Sequence, residues 1–169
     1  MLEAFAAWLG KTPLSAFMAG QGWAVPSVQT LHILAIAVVV SGVVILNLRV
    51  LGVVERGQPI GALAHRFVVP STAAIGVLLV TGLLMIASEP DRALFRTVFW
   101  IKMGLLAAAM AATAGMLAGL RASPAWIDAG AAPPPLYKGL AAGLLLAWIA
   151  IIIAGRWIGY AEGWPGSPS

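Results

Sequence analysis

Four long apolar runs separated by short polar links dominate the chain: about Ser27 to Gly52, Arg66 to Ser88, Phe95 to Leu120 and Leu136 to Tyr160. The core of the first, Ile33 to Leu46, holds one polar residue, Ser41, among many Val and Ile. In water such a run suits a strand. At about 20 residues it matches the hydrocarbon thickness as a helix, and lipid requires every backbone N–H and C=O to be satisfied within its own segment. The pattern predicts an all-α fold, an integral membrane four-helix bundle forming a single membrane domain over residues 1–169.

Residues 1–25 read differently. Leu2, Phe5, Trp8 and Leu9, then Leu14, Phe17 and Met18, recur at roughly helical spacing but in stretches too short to span. With Trp8 and Trp23 they predict one or two short helices lying at the water–lipid interface. The links at 53–65, around Glu89 to Arg92 and from Arg121 to Lys138 are expected to be irregular, the last extended at Pro133 to Pro135. Pro70 is placed in the first turns of span two, where its missing N–H costs little. Ala73, Gly76 and Gly82 in span two, and Ala109 and Ala112 in span three, form small faces for close helix packing, within the bundle or against another copy. Met85, Met103, Met110 and Met116 read as core filler.

Composition sharpens this picture. Only 9% of residues are charged and 61% are hydrophobic, against about 25% charged in soluble domains, so lipid is the expected solvent of the surface. There is no cysteine, hence no disulfide or thiolate site. The net charge of +4 is scattered at the ends of the runs, without a basic, aromatic-interleaved stripe, so no nucleic-acid partner is expected. The N-terminus lacks the cationic start of a cleaved signal peptide, and the first run is expected to be retained as a span. Arg49, Arg56, Arg66, Arg121 and Lys138 flank one side of the spans, and Lys11, Arg92 and Arg96 the other. Five against three makes the first side cytoplasmic and both termini periplasmic in a bacterial inner membrane. Counting Lys102 and Arg156, which lie inside spans, would level the score.

Ionisable groups inside a bilayer are costly and mark candidate sites. His32, Lys102 and Arg156 each sit a few residues from the outer end of a span, in one layer of the bundle. Gln29 lies one turn before His32 on the same face; Thr81 reaches about that level, and Trp100 and Trp157 are neighbours. The plainer reading is that Lys102 and Arg156 snorkel to the headgroups and that His32 is a hydrogen-bonded packing residue. Against it stands the coincidence of three cations at one height with few acids to pair them. Such a layer would attract an anion, a propionate or a polarised carbonyl. His65 lies at the opposite end of span two, too far to share a haem iron with His32, and reads as an interface histidine. Met103, near the His32 layer, is a candidate second axial ligand. No phosphate loop, serine elbow, zinc helix motif or dinucleotide fingerprint is present.

Four short motifs carry a resemblance: Thr30-Leu31-His32-Ile33-Leu34, Asn47-Leu48-Arg49-Val50-Leu51-Gly52, Phe99-Trp100-Ile101-Lys102 and Gly155-Arg156-Trp157-Ile158-Gly159-Tyr160. In order and spacing they resemble a family of uncharacterised four-span bacterial inner-membrane proteins. The chain departs from that pattern at Asn47, where the family carries aspartate, and between Thr113 and Leu117, where it carries a histidine. A more distant likeness is to the copper-resistance membrane proteins and the haem-binding protoporphyrinogen oxidases, through Leu-His in span one and a Trp–Lys pair in span three. That likeness implies haem b with His32 on the iron and Lys102 and Arg156 near the propionates.

The expected function is a membrane-embedded cofactor- or small-molecule-binding protein, holding haem b or a quinone for electron transfer at the outer side. His32, Lys102, Arg156, Trp100, Trp157 and Gln29 are its candidate binding residues, with His32 the metal ligand if haem is bound. The alternatives are an anchor or assembly subunit, with a protein partner or a second copy, and a small anion or metal transporter.

Overall fold

The computed structural model describes residues 1–54, 57–122 and 133–158, without the side chains of Leu120 and Arg121. The expectations for Arg56, for the link from Pro124 to Asp128, for Tyr160 and for the tail beyond it lie outside the described residues. Every regular element described is helical: α1 Leu2–Gly10, α2 Pro13–Gly20, α3 Ala24–Val50, α4 Ile60–Ser88, α5 Pro90–Leu94, α6 Thr97–Ala122 and α7 Pro135–Trp157. Four of them, α3, α4, α6 and α7, are long and apolar enough to cross a membrane. The 27 residues of α3 extend about 40 Å at 1.5 Å each, more than the ~30 Å of hydrocarbon.

Sequence and structure differ at the ends of elements. α4 starts at Ile60, six residues before the expected Arg66: after Pro59 the run Ile60-Gly61-Ala62-Leu63-Ala64 is apolar and helical, with Ile60 and Leu63 buried. Pro70 therefore stands in the interior of α4 rather than its first turns. The link at 89–92 is not irregular. Pro90 occupies the first position of α5, where its missing N–H is harmless, and Arg92 pairs with Glu89 at 2.8 Å. Pro135 likewise opens α7, and Pro134 before it is extended, with φ −53° and ψ 150°.

α1 and α2 form the expected pair of short helices. Thr12 joins them: its hydroxyl donates to Leu9 O at 2.7 Å and accepts from Ser15 N at 3.2 Å, closing α1 and capping α2. Ala6 and Met18 turn inward, while Phe5, Trp8, Leu14, Phe17 and Trp23 are exposed. The rings pair as Phe5–Trp8 and Phe17–Trp23, an apolar aromatic surface suited to a water–lipid boundary. These helices pack on α3, α4 and α5 and define a capped end of the bundle; the opposite, loop end holds the turn from α3 to α4.

α3 is the central staff, packed along α4 and α7, with α6 on the far side of α7. Val39, Val43, Leu46 and Val50 of α3 meet Ala74 of α4, Ala109 and Met116 of α6, and Leu144, Trp148 and Ile151 of α7 in one core. α3 and α4 come close together at Gly42. A Cβ there would stand 2.9 Å from Ser71 Oγ and 3.3 Å from Phe67 Cβ, so α3 and α4 approach this closely only with glycine. Of the glycines expected to bring helices together, Gly76 touches nothing and Gly82 meets only the His32 ring. Ala74 rather than Ala73 faces the core. Met116 is core filler as expected, but Met103 and Met110 lie exposed on the outer surface of α6.

At the loop end, Arg49 is buried rather than reaching toward headgroups. Its Nε and one terminal nitrogen both donate to Gln58 O, at 3.0 and 2.8 Å, which folds the link back onto α3. Gly52 permits that reversal with a φ of 77°, a left-handed conformation that costs glycine little. His65 is exposed in the first turns of α4, in keeping with an interface residue.

Candidate functional site

The candidate layer lies at the capped end. His32 is eight residues into α3, and Thr81 is seven residues from the end of α4, so antiparallel packing brings them level. His32 Nδ1 lies 2.7 Å from Thr81 Oγ1. The threonine hydroxyl has one proton to give, and it points at Val77 O, 2.6 Å away on the preceding turn. Toward the imidazole Thr81 is therefore the acceptor, and Nδ1 carries the ring proton. The neutral ring is left with a bare lone pair on Nε2, the orientation that a fixed partner on one nitrogen gives to the other. The ring packs beside Gly82, where a Cβ would meet His32 Cε1 at 3.7 Å, an ordinary contact distance.

Lys102 approaches the same layer from α6. It lies five residues into the helix and leans on α7 where Gly155 has no side chain; a Cβ at 155 would lie 3.6 Å from both Cε and Nζ. Among the described residues no acid and no hydrogen-bond acceptor meets its ammonium. α3 and α6 do not pack directly on each other, so His32 and Lys102 come to the same end of the bundle on separate helices. A base nitrogen on α3 and a donor-only cation on α6 thus stand at the same end of the bundle. Together they can accept a hydrogen bond from a hydroxyl and donate to a carbonyl or carboxylate oxygen.

The remaining candidates are placed differently. Arg156 follows Gly155 directly, so it stands beside the Lys102 contact, but its side chain is exposed. Gln29 is exposed too, and the partner of His32 is Thr81 instead. Trp100 does not wall the pocket: it is 51% exposed, and its Nε1 donates to Leu94 O at 2.9 Å, which ties α6 to the end of α5. Trp157 is exposed to a similar degree. Both fit interface anchors better than pocket walls. Met103, at 40% exposure, lies on the outer surface of α6 rather than across from His32.

Two features escaped the sequence reading. Arg96 donates to Ile158 O and so staples the start of α6 to the end of α7 beside the layer. Gly155, unremarkable in a glycine-rich chain, gives the lysine its seat. The spacing Gly155-Arg156 drew attention to the arginine, whereas the structure puts the cation of the neighbouring helix on the glycine. Among the described residues no group of three or more His, Cys, Asp or Glu is placed to hold a metal ion.

The model of a family of unknown function, DUF6644, matches residues 4–161, a stretch that takes in all four of the short motifs and stops eight residues before the last. No curated protein and no solved structure matches the chain.

Proposed function

We propose a function for this chain, which belongs to the DUF6644 family: it is a membrane-embedded binding protein that holds a quinone-type electron carrier at the capped end. The observation that carries this reading is the bare His32 Nε2, fixed by Thr81, at the same end of the bundle as a Lys102 ammonium that has no partner among the described residues and lies against Gly155. An unpaired cation in lipid costs about 2.5–3.5 kcal/mol at mid-span and less near a helix end, a cost that a bound oxygen acceptor offsets. His32 accepts from a hydroxyl of the reduced carrier, and Lys102 donates to an oxygen of either form. The distribution of Lys and Arg supports a periplasmic capped end in a bacterial inner membrane.

A second reading, haem b, draws support from the same nitrogen. A histidine that donates from Nδ1 presents Nε2 as a metal ligand, and Lys102 suits a propionate. The fit is one-sided. With Met103 exposed and His65 at the loop end, His32 is the axial ligand this chain offers among the described residues. The distant likeness to the copper-resistance proteins and the protoporphyrinogen oxidases bears on this reading alone. Bound haem would supply one-electron redox chemistry.

Solvent extraction of protein purified in mild detergent, with mass spectrometry and an absorption spectrum, tests both. The proposal expects a quinone in the extract that His32→Ala and Lys102→Met both remove. A Soret band lost in His32→Ala turns the reading to haem. An extract with neither contradicts the proposal and leaves the anchor or assembly subunit, which would travel with a partner. The transporter reading needs a polar path, and Ser41, Thr72 and Thr113 in the spans each turn their hydroxyls back on their own helices.

A further inference from the structure

α6 and α7 pack on each other, yet a groove of about 450 Å³ runs between them. Leu105, Ala108 and Ala112 of α6 and Leu136, Gly143 and Ala147 of α7 form its walls, and no polar side chain enters them. Ala108 and Gly143 are exposed, so the groove is open along its outer side. Both helices are apolar enough to span, so that side faces hydrocarbon. Small residues in a membrane bundle ordinarily let helices touch. Gly42 and Gly119 do so, since a Cβ at either would run into a neighbouring helix. Gly139 and Gly143 do not: a Cβ at either meets nothing within 4 Å. Their smallness holds a space open instead of closing one.

Dimensions and symmetry decide what fills it. On α7 the walls run from Leu136 to Ala147, about 16 Å of helix. Over that length the volume amounts to a section about 5–6 Å across. A helix with its side chains is about 10–12 Å wide and is too broad to enter. A hydrocarbon chain, one methylene group wide, fits at carbon–carbon contact distances of about 4 Å. A second copy related by a two-fold axis would present the same surface, setting hollow against hollow and filling neither.

The course and the charge of the groove indicate which chain. It starts in the first turn of α7, at the loop end, and stops near the middle of that helix. An acyl chain takes the same course from the headgroup boundary to the bilayer centre. Five Arg and Lys flank the spans at the loop end against Glu55 and Asp128, and one of them, Lys138, is exposed two residues past Leu136. Such an excess favours an anionic head. We propose that the α6–α7 groove is a phospholipid site, in which one acyl chain of an anionic phospholipid of the loop-end leaflet lies between Leu136 and Ala147. The site is separate from the capped end and stands whether or not a carrier binds there.

Two measurements on the full-length protein in detergent test it. In the first, native mass spectrometry follows a titration with phosphatidylglycerol carrying 16-carbon chains. The unaltered chain is compared with Gly143→Leu, which fills the groove, and with Gly104→Leu, whose added side chain meets open space outside it. One tightly held lipid per chain is expected, with affinity reduced about tenfold in Gly143→Leu and unchanged in Gly104→Leu. Phosphatidylcholine with the same chains is expected to bind about fivefold more weakly than phosphatidylglycerol. Equal lipid affinity in Gly143→Leu and the unaltered chain overturns the site, and equal affinity for the two lipids overturns the anionic head. A dimer that Gly143→Leu splits without changing lipid affinity assigns the groove to a second copy and overturns the proposal. The second measurement leaves the groove intact. With one equivalent of phosphatidylglycerol spin-labelled at mid-chain, the methyl resonances of Ala112 and Ala147 are expected to broaden more than that of Ala73, which is exposed on α4. Equal broadening of all three contradicts the proposal even if Gly143→Leu fails to fold.

Discussion

His32 and Thr81 are joined across the α3–α4 interface by a 2.7 Å hydrogen bond between Nδ1 and Oγ1. Because the threonine proton is committed to Val77 O, this one contact sets the tautomer of the ring. Thr81→Val keeps the shape and removes the acceptor. It is expected to cost about 1 kcal/mol of stability and to weaken quinone binding severalfold, with Thr81→Ser restoring both. Thermal unfolding in detergent and dialysis read the two effects. Unchanged binding in Thr81→Val would detach the threonine from the site.

Lys102 separates stability from function. Its ammonium has no partner among the described residues, so Lys102→Met removes a poorly solvated charge while keeping an aliphatic chain of similar length. The ligand-free variant is expected to melt at the same temperature as the unaltered protein or higher, and to bind the quinone at least tenfold more weakly. A melting temperature lowered by several degrees would show that Lys102 serves structure instead. Gly155→Leu, which fills the seat of the lysine, is expected to lower affinity in the same direction.

The two glycines Gly42 and Gly76 offer a packing test. A side chain at 42 meets Ser71 and Phe67, whereas one at 76 meets nothing. Gly42→Val is expected to destabilise the bundle by about 1–3 kcal/mol through overpacking, and Gly76→Val by less than a third of that. Denaturation in mixed micelles gives both values, and similar costs would contradict the helix approach described here.

The tryptophans report depth. Trp8, Trp23, Trp100 and Trp157 are exposed at the capped end, and Trp148 is buried in the core. In single-tryptophan variants, lipids brominated near the headgroup are expected to quench the first four more than lipids brominated near the bilayer centre, and to leave Trp148 the least quenched of all. Deep quenching of Trp8 or Trp23 would move α1 and α2 out of the interface.

Much of this fold was legible because lipid imposes a blunt rule: long apolar runs must be helices. The four spans follow from that rule, and the helical spacing of Leu2, Phe5 and Trp8 carried the short helices before them. The first turns of α4, Ile60 to Ala64, were missed because they sit between the polar stretch that ends at Pro59 and the pair His65-Arg66, and were read with that link. The site was half legible. Helical rise put His32, Lys102 and Arg156 at one height, but height says nothing of azimuth. The structure turns Lys102 onto Gly155 and leaves Arg156 and Gln29 exposed.

The central claim is that His32 presents an unprotonated Nε2 to a ligand. With two histidines in the chain, and His65→Asn removing the other signal, 15N spectroscopy of the His32 ring in liposomes measures this directly. The account predicts a protonated Nδ1 and a bare Nε2 in the neutral ring, with the Nε2 resonance shifting when the reduced carrier is added. A neutral ring protonated on Nε2, or one whose spectrum ignores the carrier at saturation, would contradict it.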